Sequence, residues 1–208
     1  MAESLTNLSC TEFAAVLAAK QSVPGGGGAA ALVGALGAAL CSMVGNFTTG
    51  KKTYAAVEDN VQRMLADAEA VRLRLIDLVA DDAEAFFPLS QAYAIPKEDP
   101  SRAETLEAAT KAACKAPYEM MVEIAKSIEL LEEMGEKGSK MLVSDVGCGA
   151  LFARAALEAA SMNVFVNTKS YKGTDWAPEL EAKCDALLSE YIPRAEACAR
   201  SVMSRIRG

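Results

Sequence analysis

A carboxylate in an apolar setting is the first feature of this sequence that points to chemistry. Asp82 follows Leu-Val-Ala and Asp81, and it precedes Ala-Glu-Ala-Phe-Phe. On a helix, the face around Asp82 is apolar, and burial there would raise the pKa of its carboxyl group towards neutrality, where proton transfer works best. Asp81 points about a quarter-turn away and is expected to be solvated. An ordinary surface carboxylate at position 82 is the alternative, and the residues alone leave both open.

Histidine is absent from the chain, which leaves any proton transfer to Asp, Glu, Lys, Tyr or Cys. Its absence excludes Ser-His-Asp and Cys-His nucleophile arrangements and His-ligated zinc. The six cysteines form no Cys-x-x-Cys pair, so neither a zinc site nor a thioredoxin-type motif is indicated. Their neighbours are small and apolar, which predicts reduced, buried, structural thiols in a cytosolic protein.

Four consecutive glycines, Gly25, Gly26, Gly27 and Gly28, open a long uncharged run of small residues. Glycines let a backbone lie directly against a ligand, and the start of the following helix offers unpaired N–H groups to an acceptor or anion. A tight turn followed by close helix packing explains the same residues. One face of the predicted helix is flat, so a neighbouring helix is expected to approach closely; it carries Gly34, Gly37, Ala38, Cys41, Ser42 and Gly45.

The end of this run resembles a nucleotide-binding loop only superficially. Gly45–Lys52 reads Gly-x-x-x-x-Gly-Lys, but Lys52 stands where Mg²⁺ coordination needs Ser or Thr. The glycines of both segments follow predicted helices and not strands, and no acidic ribose partner completes a dinucleotide fingerprint. Neither nucleotide motif is therefore predicted.

Composition favours one acidic, globular domain that occupies residues 1–208. The apolar fraction of 51% allows a sizeable core, and the net charge of −7 disfavours binding to nucleic acid or to an anionic membrane. The N-terminus lacks the basic region of a secretory signal. The uncharged run from Gln21 to Gly50 is long enough to cross a bilayer, but it is mostly Ala and Gly, so a buried helix is predicted.

Apolar residues recur at helical spacing along nearly the whole chain, which predicts an all-α, antiparallel helical bundle. Pro88 and Pro117 are expected to kink or divide their helices. The first helix is predicted to start near Thr11 and Glu12. The remaining helices are predicted over about Ala29–Asn46, Thr53–Tyr93, Asp99 or Ser101 to Glu133, Met141–Asn167 and Leu180–Ile206.

An ordered set of short motifs resembles the C-terminal family of formiminotransferase-cyclodeaminase. The set starts with Pro-Gly-Gly-Gly-Gly at Pro24 and a small-residue helix that ends Ser-Met-Val-Gly-Asn at Asn46. It continues with Thr48-x-Gly-Lys-Lys-x-Tyr, Asp82-Ala-Glu-Ala-Phe, Ala94-Ile-Pro-Lys, Ser144-Asp145 and Asn163-x-x-x-Asn167. The family includes the cyclodeaminase domain of a bifunctional folate enzyme and a stand-alone bacterial methenyltetrahydrofolate cyclohydrolase.

The resemblance implies a dimeric, all-helical folate enzyme of the cytoplasm without a formiminotransferase domain. The first expectation is cyclodeamination of 5-formiminotetrahydrofolate to the 5,10-methenyl form and ammonia. The alternative is hydrolysis of 5,10-methenyltetrahydrofolate to the 10-formyl form. The implied partners are a tetrahydrofolate substrate with a monoglutamate or polyglutamate tail, a second copy and a separate formiminotransferase, with no permanently bound cofactor or metal. A non-catalytic folate carrier or helical dimerisation protein is the alternative of another class.

The resemblance also implies roles for individual residues. Asp82 becomes the candidate general acid/base, and the glycines at 25–28 and Asn46 become candidate substrate-binding residues. Asn163 and Asn167 share a helix face and suit a pterin or a bound water, or else they cap or cross-link helices. Asp145 would anchor the pterin or cap a helix starting near Val146. Lys51 and Lys52 would meet the glutamate tail, with Lys169 and Lys172 extending that patch, unless all four are solvated loop lysines.

Overall fold

Seven α-helices and three short 3₁₀ turns make up residues 5–208, the range that the structure, a computed structural model, describes. This range contains no strand, so the prediction of an all-α fold is confirmed. The α-helices are α1 (Cys10–Ala18), α2 (Gly26–Asn46), α3 (Glu58–Ala94), α4 (Arg102–Ala113), α5 (Lys115–Lys137), α6 (Val143–Thr168) and α7 (Trp176–Arg207); the 3₁₀ turns are Leu5–Asn7, Lys52–Val57 and Lys140–Leu142.

Helix α2 is the central helix of the bundle, and it runs antiparallel to its neighbour α3. At the start of α2, Gly27 lies against Asp82 in the second half of α3. At the end of α2, Gly45 lies against Leu65 near the start of α3. The two helices therefore place the beginning of one beside the end of the other, as expected for a bundle with short connections.

Helices α2 and α6 are also antiparallel, and their backbones touch in the middle. A Cβ added at Gly37 would lie 3.1 Å from the carbonyl oxygen of Gly149, and one added at Gly149 would lie 3.2 Å from the carbonyl oxygen of Gly37. Side chains at these two positions would separate the helices. The predicted flat, small-residue face of α2 thus packs against a second small-residue helix.

The core lies between α2, α3, α5 and α6, and large side chains of α3 and α5 fill the space beside the small residues of α2. A Cβ at Gly34 would lie 2.9 Å from Cγ1 of Ile124, so this glycine makes room for an α5 side chain. Each fully buried aliphatic side chain contributes roughly 1.5–3 kcal/mol. The largest are Met64, Leu75, Leu78, Met120, Met121, Ile124, Ile128, Leu131, Met134 and Leu157.

Helix α2 starts three residues before the predicted start at Ala29. Gly25 is its N-cap, and Gly26, Gly27 and Gly28 form its first turn. Glycine has a low intrinsic helix propensity, but contacts of this turn with α3 and α6 outweigh that preference. The prediction that the glycines form a turn before the helix is therefore wrong for three of the four.

The predicted helix up to Glu133 is two helices, which divide at Cys114 and not at Pro117. Pro117 lies in the first turn of α5, where a missing N–H is not needed for the helical hydrogen bonds. Helix α3 continues through Pro88 to Ala94, so this proline does not divide it. Helix α1 begins one residue before Thr11, after Ser9, which forms a capping box with Glu12.

The outer surface of the α2–α6 pair is apolar. We call it the α2/α6 face and define it by its exposed large apolar side chains, which range from 37% exposed for Met43 to 67% for Met162. Helix α2 contains no charged residue along its whole length. The members of the face are Leu36 and Met43 on α2, Phe47 at the C-cap of α2, and Leu151, Phe152, Met162 and Val166 on α6.

Two segments, Gly26–Asn46 and Lys140–Thr168, are long and apolar enough to cross a membrane by length and composition alone, with mean hydropathies of 1.8 and 1.2. In the bundle, 56% of the most apolar window of α2 is buried, against α3, α5 and α6. Core helices of helical proteins share these properties. The burial supports the prediction that α2 is a buried helix.

The cysteines within residues 5–208 are all free thiols, but they are not all buried as predicted. Cys10 and Cys148 are exposed, because Cys10 starts α1 at the surface and Cys148 lies on the outer side of α6. Burial raises the pKa of Cys41 and Cys184 to about 12, which keeps these thiols protonated and unreactive.

Candidate active site

The carboxylate of Asp82 lies directly over the first turn of α2. A Cβ added at Gly27 would lie 2.5 Å from Oδ2 and 2.6 Å from Oδ1 of Asp82, closer than such atoms can approach, so any side chain here must displace the carboxylate. The backbone N–H of Gly28 favours the charged form of the same carboxylate. Helix N-termini carry unpaired N–H groups and a partial positive charge, both of which favour a carboxylate. The sequence predicted that the start of this helix faces a ligand. In the structure, Asp82 of the same chain occupies part of that position.

A cavity of about 200 Å³ opens beside this carboxylate, between α2, α3, α6 and the α4–α5 junction. The glycines Gly25, Gly26 and Gly27 form one side of it. None of its lining residues is Lys or Arg. The apolar part of its wall includes Phe86, Leu89, Pro117 and Val166, and its polar groups include Asp82, Asn163 and Asn167.

Burial raises the pKa of the Asp82 carboxyl group, and the Gly28 N–H, which stabilises the charged form, lowers it by less. A raised pKa brings a carboxyl group closer to the range in which it both donates and accepts a proton near neutral pH. Asp81 differs, because its Oδ2 pairs with Nη1 of Arg74 at 2.9 Å and its side chain is 44% exposed. The predicted difference in environment is confirmed, and the catalytic role of Asp82 stays a prediction.

Asn163 and Asn167 both line the cavity, one helical turn apart on α6. Nδ2 of Asn163 donates to the carbonyl oxygen of Ala159 at 2.8 Å, and its Oδ1 lies 3.6 Å from the position of a Cβ at Gly26. Asn167 lies near the thiol of Cys114; burial raises the pKa of this thiol to about 11, and Asn167 lowers it by less. Each amide therefore combines a structural contact with a place at the cavity wall.

Asn46, Lys51 and Lys52 lie at the opposite end of α2 from the cavity. Helix α2 has 21 residues, which span about 30 Å. All three side chains are exposed there. The structure therefore does not bring these three predicted site residues to the cavity of the same chain.

At this end of α2, the hydroxyl of Tyr54 accepts a hydrogen bond of 3.1 Å from the backbone N–H of Lys140. That hydrogen bond is the main cause of a lowered pKa of the Tyr54 phenol, and the nearby charges of Lys140 and Lys51 lower it further. No ion pair involves Lys51, Lys52 or Lys140 within residues 5–208. We call these three residues the lysine cluster.

Asp145 also lies at the lysine end, in the first turn of α6. Helix α6 begins at Val143 with Leu142 as its N-cap and without a side-chain capping hydrogen bond. The alternative that Asp145 caps a helix starting near Val146 is therefore wrong, because the 3₁₀ turn before α6 starts the helix earlier. Its position within the first turn is favourable for a negative charge.

Residues 9–186 match the model of the formiminotransferase-cyclodeaminase family. The chain belongs to the formiminotransferase-cyclodeaminase family. All the residues that line the Asp82 cavity fall inside the matched range of this family.

Relatives within the family carry two different names. The chain is 39% identical over 194 residues to a methenyltetrahydrofolate cyclohydrolase from Methylorubrum extorquens, and the alignment covers 91% of this chain and 93% of that protein. It is 28% identical to the formimidoyltransferase-cyclodeaminase of Mus musculus, over 98% of this chain and 38% of the mouse protein. The chain therefore spans a little over a third of the mouse protein.

A solved structure from the family has the same fold. The formiminotetrahydrofolate cyclodeaminase of Thermotoga maritima superposes with a TM-score of 0.82 at 32% identity, and the match covers 97% of both chains. Within residues 5–208, no group of three or more His, Cys, Asp or Glu side chains is arranged to hold a metal ion.

Several cavity residues of this family member did not follow from the sequence. Phe86 is one turn after Asp82 on α3, so helical spacing alone could have placed both on one face. Pro117 and Val166 come from the α4–α5 junction and from α6. No local signal marks them, because their position depends on how distant helices pack.

Proposed function

We propose that this chain is a folate one-carbon enzyme that acts on the carbon held between N5 and N10 of tetrahydrofolate. One observation carries the proposal: the desolvated carboxyl group of Asp82 forms the wall of a cavity of about 200 Å³ over a helix N-terminus. Family membership restricts the chemistry, since the relatives are named for cyclodeamination and for cyclohydrolysis. Both reactions pass through a tetrahedral carbon between two nitrogens, and both need one group that moves protons.

In the cyclodeaminase reaction, N10 of 5-formiminotetrahydrofolate attacks the formimino carbon, and the proton lost from N10 reaches the imino nitrogen. Asp82 carries this proton, takes up a second proton from water and delivers it to the resulting amine. The carbon–nitrogen bond breaks, ammonia leaves and 5,10-methenyltetrahydrofolate remains. A carboxyl group with a raised pKa suits this role, because it is partly protonated closer to neutral pH than an exposed aspartate is. The T. maritima cyclodeaminase, similar over 97% of both chains, supports this candidate.

The cyclohydrolase reaction is the second candidate, and the 39% identity to the M. extorquens enzyme over nearly its full length favours it. Here Asp82 accepts a proton from water as the oxygen attacks the methenyl carbon. It then returns the proton to N5 as the bond between that carbon and N5 breaks, and the hydroxyl proton passes to water, which gives the 10-formyl product. The same residue thus acts as base and then as acid.

The cavity supplies binding groups as well as the carboxylate. Asn163 and Asn167 offer amides to the pterin ring, and Gly25 and Gly26 allow it to approach the start of α2. Phe86 adds an apolar surface. The proposal includes no permanently bound cofactor, because proton transfer and positioning are sufficient for both reactions.

The proposed setting is a cytoplasmic homodimer that receives its substrate from a separate formiminotransferase when it acts as a cyclodeaminase. The net charge of −7 gives no support to nucleic acid or an anionic membrane as a partner. The apolar α2/α6 face supports the homodimer, since large exposed apolar surfaces mark interfaces.

One absorbance assay tests the proposal. The methenyl form absorbs in the near ultraviolet, where the formimino and formyl forms absorb little. Growth of this band from 5-formiminotetrahydrofolate establishes the cyclodeaminase, and enzyme-dependent decay of added methenyl substrate establishes the cyclohydrolase. Folate binding without turnover would overturn the enzyme and indicate a carrier, and neither binding nor turnover would indicate a helical dimerisation protein.

A further inference from the structure

The cavity around Asp82 has no partner for the acidic end of its proposed substrate. Its lining contains a carboxylate and two amides but no Lys or Arg. A folate carries two or more carboxylates on its glutamate tail, and these need cationic partners. The lysine cluster has the right charge, but it lies about 30 Å away along α2, which is farther than one folate monoglutamate reaches. The cavity wall of one chain therefore offers no cation to these carboxylates.

The α2/α6 face runs between these two ends without a charge on its α2 side. Its seven large apolar side chains are at least 37% exposed, including Phe47 at 55% and Val166 at 65%. Phe47 adjoins the lysine end, whereas Val166 lines the cavity at the Asp82 end. A partner that covers the face therefore touches both ends.

The charges at the two ends of the α2/α6 face favour a second copy of the chain as the partner that covers it. The two α2 helices of such a pair are either parallel or antiparallel, and only one of these orientations agrees with the charges. If α2 of one copy lay parallel to α2 of the other, the lysine cluster of each copy would face the same cluster, which is unfavourable. If the two α2 helices are antiparallel, each lysine cluster lies beside the cavity that holds an acidic Asp82. Antiparallel helix dipoles favour the same orientation.

We propose that two copies of this chain pair through the α2/α6 face with their α2 helices antiparallel, so that the partner's Lys51 and the partner's Lys52 complete the Asp82 cavity and bind the carboxylates of the substrate. The inference rests on the proposed folate chemistry. It gives the lysine end a function that its position in one chain does not allow. Asn46 and Asp145 lie at the same end and come to the mouth of the partner's cavity with it.

Kinetics of a charge reversal give the first measurement. The double variant Lys51→Glu/Lys52→Glu is expected to raise KM about tenfold or more while kcat changes less than about threefold, since it removes binding contacts and leaves the reacting groups in place. Lys126→Glu is the matched control, because Lys126 is an exposed lysine paired with Glu123 on α5. An unchanged KM in the double variant overturns the proposal. So does a tenfold rise caused by Lys169→Glu instead, because Lys169 follows α6 at the cavity end of the same chain.

Mixed dimers decide whether the lysines act across the interface. One chain carries Asp82→Asn and the other carries Lys51→Glu/Lys52→Glu, and two different tags isolate the mixed species. Antiparallel pairing leaves one fully intact site, so the mixed dimer should regain about half of the wild-type activity at low substrate concentration. If each site belonged to one chain, no intact site would form, and activity no higher than that of the lysine variant overturns the inference.

Cross-linking gives a readout that does not depend on turnover. In a background of Cys10→Ser and Cys148→Ser, copies with Lys51→Cys are mixed with copies with Val166→Cys and treated with a short bis-maleimide. The antiparallel dimer predicts cross-links between the two kinds of copy, whereas cross-links between Lys51→Cys copies alone, or a monomer by light scattering, overturn it. If the wild type fails to convert folates but these cross-links form, the proposed function fails and the dimer arrangement stands.

Discussion

The two ends of helix α2 differ in the sign of the charged groups beside them and in how exposed those groups are. At its start, the carboxylate of Asp82 is packed over Gly27 at the wall of a small cavity, and burial raises its pKa. At its end, Lys51 and Lys52 are exposed and without ion pairs within residues 5–208. A single helix with no charge of its own connects these two environments.

The difference fits the proposed roles, in which Asp82 transfers protons and the lysines bind the substrate. Desolvation raises the free energy of the ionised carboxyl group and therefore its pKa. A carboxyl group with a raised pKa is suitable for transferring protons near neutral pH. Exposed lysines keep their charge and attract anions, but they contribute little to the stability of the fold. Substitutions at the Asp82 end should therefore act on kcat, and those at the lysine end on KM.

Replacing Asp82 by Asn tests the reacting end most directly. Asparagine keeps the size of the side chain but cannot exchange the proton, so kcat should fall by about 10²–10⁴-fold while folate binding is retained. The steady-state absorbance assay and isothermal titration with a folate measure the two quantities. Asp81→Asn is the matched control, since Asp81 is paired with Arg74 outside the cavity, and it should stay within about threefold of the wild type. Equal kcat for Asp82→Asn and the wild type would remove Asp82 from the mechanism.

Gly27→Ala tests whether the position of the carboxylate matters. The new Cβ would lie 2.5 Å from Asp82 Oδ2 and must displace it, and a misplacement of about 1 Å costs about 10²-fold in rate. Gly26→Ala introduces the same methyl group one residue earlier, where the nearest atom, of Asn163, is at 3.6 Å. Its effect on kcat should be smaller, and an equal loss in both variants would contradict a specific role for the Gly27 contact.

Gly149→Val should weaken both ends at once, because it acts on the contact between α2 and α6. Its Cβ would lie 3.2 Å from the carbonyl oxygen of Gly37 on α2 and 2.7 Å from Cδ2 of Leu131 on α5, so the free energy of unfolding should fall by about 1–3 kcal/mol. Urea unfolding followed by circular dichroism measures this change. Gly173→Ala has no atom within 4 Å of its new Cβ and should stay within about 0.5 kcal/mol of the wild type. A neutral Gly149→Val would mean that the helices are not closely packed there.

The smallest expected effect is the pH dependence of stability. The native pKa of Asp82 is raised above its unfolded value near 3.8, so its contribution to stability is fully present below that value and is lost as pH rises through the native pKa. Asp82→Asn removes the cost of burying the charge, so its melting temperature should exceed that of the wild type at neutral pH. The gain should disappear as the pH falls towards about 4. Melting curves at several pH values test this, and a gain that grows towards acid would contradict the sign of the pKa shift.

The helical character of the chain and the face on which Asp82 lies could be predicted from the sequence, because both depend on local periodicity. The start of α2 could not, since Gly26, Gly27 and Gly28 have low helix propensity and become helical through contacts with α3 and α6. The division at Cys114 was also missed, because Pro117 suggested a break where it is harmless.

The candidate site shows the same limit. Asp82, three of the four glycines and both asparagines line one cavity, as the ordered motifs suggested. Asn46, Lys51, Lys52 and Asp145 lie at the other end, because spacing along a helix reveals which face a residue occupies but not which end of a neighbouring helix it meets. That information comes only from the antiparallel order of α2 and α6.

The backbone contact between Gly37 and Gly149 has a consequence for how this protein could acquire new preferences. It holds α2 and α6 at a fixed separation, and the cavity lies between the same two helices about 16 Å further along α2, at Gly26. A methyl group at the crossing would widen the cavity without altering any residue that a ligand touches. The size of ligand that the cavity accepts would then depend on a residue that does not line the cavity. Variants at the Gly37–Gly149 crossing are therefore the first place to look for altered ligand selectivity.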